Sequence, residues 1–155
     1  MTKFLLAVHV LAAVIAIGPV TVAASMFPAA VRRAGSGADA AEARASIGTL
    51  HRICQVYAVV GVAVPVFGLA TANEMGVLGD TWLIVSMVLT AGAAVILAAL
   101  ILPRQSALLE VAGAAAEPVP AKATARLAMY TGLFNILWAT VTVLMIVRPG
   151  STTGA

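Results

Sequence analysis

An all-α fold, a transmembrane four-helix bundle, is what this sequence predicts, and three observations predict it. The chain has 155 residues, 62% hydrophobic and 10% charged, where a soluble domain of this size carries about 25% charged residues. Its apolar residues gather into four runs, 4–26, 53–73, 81–102 and 128–147, with no acidic side chain, Lys or Arg inside any of them. Each run has about 20 residues, the length at which a helix crosses ~30 Å of hydrocarbon. A water-soluble globule and a disordered chain are both incompatible with a mean hydropathy of +1.06, and the runs lack the alternation of a membrane barrel.

The first span, 4–26, contains Gly18-Pro19 and ends at Phe27-Pro28. With Lys3 ahead of it and Val22-Ala23-Ala24 near its end it could pass for a signal peptide. Its apolar stretch exceeds an ordinary signal core, however, and Arg32-Arg33 follows it, so it reads as a retained helix. In the first connection Asp39 with Glu42 resembles a capping box, so a helix is expected from about residue 40 into the second span, with Gly48 its weakest point.

The second span, 53–73, contains Gly61, Pro65 and Gly68, residues that permit close backbone approach or bending, and Pro65 frees a carbonyl near Gly61. It ends at Asn73-Glu74-Met75-Gly76. Asp80 is the expected N-cap of the third span, which ends at Pro103. Arg104 to Ala116 reads as a short alanine-rich helix closed by Pro118 and Pro120. The fourth span stops at Arg148-Pro149-Gly150, so residues 1–148 form one domain and 149–155 a disordered tail.

Topology follows from the basic residues. The first and third connections hold Arg32, Arg33, Arg44, Arg52, Arg104, Lys122 and Arg126, while the remaining ends hold only Lys3 and Arg148. The positive-inside rule then sets both termini outside and both long connections in the cytoplasm. The net charge of +3 is a topology signal and points to no nucleic acid. Cys54 is the single cysteine, so it has no partner for an intramolecular disulfide.

His9 is the one ionisable side chain well inside a span, about 8 Å below the outer boundary at helical rise. Such a group is a functional candidate, and it equally serves as a packing contact between helices. Ser86 and Thr142 share its depth, which predicts a polar cluster around His9, while Asn135 and Gln55 are a candidate amide pair between the fourth and second spans. His51 and Cys54 lie on one helix face at the inner boundary, but two ligands beside Arg52 make a poor cation site. His9 and His51 lie about 20 Å apart in depth, so they are not an axial pair on one haem. A haem b held by His9 alone or with Met87 or Met145, or a copper ion on His9, Met87 and Met145, stays open. With no acidic group inside a span, a carboxylate-based antiporter has no footing.

Several segments carry a resemblance: Leu6-Ala7-Val8-His9-Val10-Leu11-Ala12-Ala13 with Gly18 after it, Gly68-Leu69, Trp82-Leu83 and Pro103-Arg104-Gln105. Together they resemble a bacterial family of four-helix integral membrane proteins of unknown function, similar in appearance to the copper-resistance D and HemJ-type membrane proteins. The resemblance implies a multi-pass protein of the inner (plasma) membrane. Through the HemJ-type proteins it implies a haem role for His9 alone, and through the copper-resistance proteins metal passage. The leading expectation is a non-enzymatic accessory or interaction protein in the lipid bilayer, with a membrane protein or further copies of itself as partner. The alternative is a haem- or copper-binding protein using His9.

Overall fold

The computed structural model describes residues 1–34, 40–114 and 119–150, and all its regular elements are helical. They are α1 (Thr2–Ala34), α2 (Ala40–Val60), α3 (Ala63–Met75), α4 (Thr81–Val95), a π-helical segment (Ile96–Ile101), α5 (Leu102–Gly113) and α6 (Ala121–Val147). These make four rods long and apolar enough to cross a membrane: α1, α2 with α3, α4 through α5, and α6. The first and third have 33 residues each, about 50 Å of helix at 1.5 Å per residue. That exceeds the hydrocarbon, so the rods extend past it.

Many large aliphatic side chains face outward, and small ones take much of the interior. Val14, Ile15, Val59, Val62, Val88, Val95, Ile136 and Ile146 point outward, while Ala16, Ala23, Ala24, Ala72 and Ala93 fill the interior. Lipid is as apolar as leucine, so the bundle gains by bringing backbones together over small residues. α1 packs along α2 and α3 and also touches α6, and α6 in turn carries α4 and the π segment. The main core, with Phe27, Ile47, Ile101, Leu108, Leu127 and Phe134, lies toward the end that bears the arginines. A smaller cluster of Ala72, Trp82 and Leu83 closes the other end.

Proline behaves differently from the sequence expectation at two places. α1 does not end at Phe27-Pro28 but continues through it to Ala34. Phe27, Pro28, Ala30, Val31 and Ala34 are all buried, and this packing offsets the ~3 kcal/mol that an internal proline costs an isolated helix. The third rod likewise continues past Pro103, which sits at the start of α5 directly after the π segment. The wide turn shifts the hydrogen-bond register just where proline has no N–H to give.

Pro65 has the opposite outcome. The second rod breaks at Gly61-Val62. The Gly61 carbonyl, without a proline donor, accepts from the Val64 amide at 3.1 Å, and the Gly61 amide donates to the Tyr57 carbonyl at 2.8 Å. A Cβ on Gly61 would lie 3.2 Å from the Tyr57 and Ala58 carbonyl oxygens, so the tight turn favours glycine. α2 begins at Ala40 and passes Gly48 unbroken, whereas the capping role expected of Asp39 lies outside the described residues. So does most of the expected disordered tail, residues 151–155.

Gly76 ends α3 at φ 69° with its amide and that of Val77 returned to Asn73 and Ala72, a left-handed cap that suits glycine. Asp80 occupies the cap position of α4, but its carboxylate does not bond the helix amides. It accepts instead from the Trp82 indole N–H at 3.0 Å. The Arg148 guanidinium lies 5.6 Å from the centre of the same indole, which ties the start of α4 to the end of α6.

Candidate functional site

His9 faces the broken second rod. Its Nδ1 lies 2.8 Å from the Val64 carbonyl oxygen in the first turn of α3. A carbonyl only accepts, so Nδ1 carries a proton and donates it to Val64. The ring lies over Gly68, where a Cβ would come within 2.8 Å of His9 Cε1 and 3.1 Å of Nδ1. Gly68 is thus the floor on which the imidazole rests, and the missing side chain there sets the distance between α1 and α3.

The residues expected beside His9 have other partners. Ser86 is fully buried, and its hydroxyl donates to the Trp82 carbonyl of its own helix at 2.8 Å. Thr142 does the same with Trp138 at 2.9 Å. Asn135 donates to Ser25 Oγ on α1 at 3.2 Å, and Gln55 is exposed on α2, so the amide pair between the second and fourth spans does not form. Met145 packs with Ala72, Trp82 and Leu83, and Met87 is exposed on α4. Among the described residues no three His, Cys, Asp or Glu side chains are grouped to hold a metal ion. Of the donors proposed for haem or copper, His9 turns Nδ1 to the Val64 carbonyl, which leaves Nε2 as its other ring nitrogen.

A second polar group lies toward the basic end. His51 Nδ1 is 3.1 Å from Gln105 Oε1, and Ser106 Oγ is 3.3 Å from His51 Nε2. The Gln105 amide nitrogen donates to Cys54 Sγ at 3.5 Å. Gln105 and Cys54 have no exposed surface, and His51 is 7% exposed. Facing the acceptor Oε1, His51 Nδ1 donates, while the one Ser106 hydroxyl proton is shared between His51 Nε2 at 3.3 Å and the Leu102 carbonyl at 3.2 Å. Gln105 stands two residues after Pro103, in the first turn of α5 just past the π segment. His51 and Cys54 do sit on one face, as their spacing requires, but that face meets an amide. From His51 to Val64 the second rod climbs 13 residues, about 20 Å at helical rise, which keeps the two imidazoles on separate clusters.

α6 carries polar atoms of another kind. Thr131 Oγ1, Asn135 Oδ1 and Trp138 Nε1 are buried without a hydrogen-bond partner among the described residues. Spacings of four and three residues put them on one face of the helix.

Lipid-facing aliphatic side chains, an alanine-rich interior and four long apolar rods define a multi-pass integral membrane protein. The chain belongs to the family described as predicted integral membrane protein (DUF2269), whose model matches residues 3–149. No curated protein and no solved structure matches it.

Proposed function

We propose that this protein is a non-catalytic component of its membrane, acting by association with a membrane-embedded partner or with further copies of itself, and that His9 locks α1 onto α3. The observation that carries this reading is the 2.8 Å bond from His9 Nδ1 to the Val64 carbonyl over Gly68. The imidazole there joins two rods, as interhelical polar contacts do in lipid.

A second reading has one observation in its favour. A histidine whose Nδ1–H is held by a backbone carbonyl presents Nε2 in the tautomer and orientation of a metal ligand. His9 would then hold haem b or copper, in keeping with the resemblance to copper-resistance D and HemJ-type proteins. An absorption spectrum of the purified protein, with metal analysis, separates the two. The packing reading expects no stoichiometric chromophore or metal, and a lowered melting temperature in detergent for His9→Ala. A stoichiometric chromophore abolished by His9→Ala would overturn it.

For orientation we propose both termini outside and the basic end in the cytoplasm of a bacterial inner membrane, on the count of seven basic residues against two. With Cys54→Ala as background, Arg32→Cys is expected to resist an impermeant thiol reagent on intact cells and to react after permeabilisation. Labelling without permeabilisation would invert the topology.

A further inference from the structure

We propose that the groove between α5 and α6 at the basic end binds the phosphate of an anionic phospholipid headgroup. The groove has a volume of about 180 Å³ and is lined by Arg104, Ala107, Leu108, Ala123 and Arg126. That is well beyond the ~10–15 Å³ needed by one water. Positions 104, 107 and 108 share one face of α5, and 123 and 126 share one face of α6. The two guanidiniums therefore come from facing helices, and the surface between them is aliphatic.

Arg104 is held in place before any ligand arrives. Its guanidinium carbon lies 4.5 Å from the centre of the Tyr130 ring, and its NH1 donates to the Leu100 carbonyl in the π segment at 2.9 Å. Its remaining N–H groups are available to an oxyanion, and a cation fixed in this way loses little entropy on binding. Arg126 is exposed on α6, with Lys122 one turn before it.

Place favours a lipid over a free anion. Arg104 follows Pro103 at the foot of the third apolar run, and Arg126 precedes the fourth by two residues. Both sit where hydrocarbon gives way to headgroups. The Arg104 guanidinium, on the Leu100 carbonyl and the Tyr130 ring, lies beside residues of the third and fourth apolar runs, so a headgroup phosphate reaches it from the bilayer side with its acyl chains still in the hydrocarbon. Basic pockets between membrane helices recognise anionic headgroups by this combination.

Native mass spectrometry of the full chain in detergent, titrated with phosphatidylglycerol, phosphatidylcholine or inorganic phosphate, tests the proposal. Phosphatidylglycerol is expected to bind at least fivefold tighter than phosphatidylcholine, and millimolar inorganic phosphate to leave it bound. Arg126→Gln, at an exposed position, is expected to weaken phosphatidylglycerol about tenfold, against twofold or less for Arg32→Gln, which removes a basic side chain from α1. Equal binding of the two lipids, or equal losses in the two variants, would mean general surface charge and overturn the site. Displacement by millimolar phosphate would assign the groove to a free anion and overturn the lipid.

Discussion

Gly68→Ala is expected to destabilise the native protein and to stabilise a protein that already carries His9→Ala. A methyl group at position 68 would stand 2.8 Å from His9 Cε1, well inside contact distance. The imidazole is the far end of its side chain, so it swings aside and gives up its bond to the Val64 carbonyl. Loss of an interhelical hydrogen bond in lipid costs about 1 kcal/mol, and the ring's lost packing adds a similar amount. Against this, alanine is better than glycine inside a helix by ~1 kcal/mol. The net effect is a destabilisation of about 1 kcal/mol with His9 present. In the His9→Ala background the steric conflict is gone and the helix-propensity gain of up to ~1 kcal/mol remains. The two substitutions are therefore coupled by about 2 kcal/mol, with a change of sign. Reversible unfolding in mixed detergent micelles measures all four proteins of the cycle. The same sign in both backgrounds would show that the ring does not rest on Gly68.

That pair of residues also marks where the sequence was legible and where it was not. The four rods could be read because charge is absent from long stretches, a property that needs no knowledge of neighbours. Gly76 could be read as a stop because a left-handed cap leaves few alternatives to glycine. Pro28 and Pro103 were misleading, because the cost of a proline is local while the burial of Phe27, Val31, Gln105 and Leu108 that offsets it is tertiary. Depth arithmetic put Ser86 and Thr142 level with His9, but it gives height without azimuth, and both hydroxyls bond their own helices. Applied to the second span, the same arithmetic puts Gly68 five residues inside Asn73, the level of His9. The signal is present, but it belongs to a backbone position, which polarity does not mark. Gln105 is hidden in the sequence because it lies two residues beyond Pro103, where a proline ordinarily ends a span. Ser25, which meets Asn135, has no feature that separates it from other small residues in an apolar helix.

Gln105→Leu is expected to cost ~2–3 kcal/mol of stability, although leucine is near in size and far more apolar. The substitution leaves His51 Nδ1–H without its acceptor and Cys54 Sγ without its donor, in an interior where Gln105 and Cys54 have no exposed surface. A buried polar group deprived of its partner costs ~1–3 kcal/mol. Lost contact with α2 adds to that, because the leucine terminus cannot bridge to the imidazole. Were burial of apolar surface the governing term, the same change would be neutral or favourable. Adding His51→Leu removes the orphaned donor, so the double variant is expected to be more stable than Gln105→Leu alone by ~1 kcal/mol or more. Ser106 then still has the Leu102 carbonyl, 3.2 Å from its hydroxyl, as acceptor. The same unfolding cycle decides it: if the two losses simply add, His51 and Gln105 act independently. If the double variant recovers stability, the amide on α5 is what makes a buried histidine tolerable on α2.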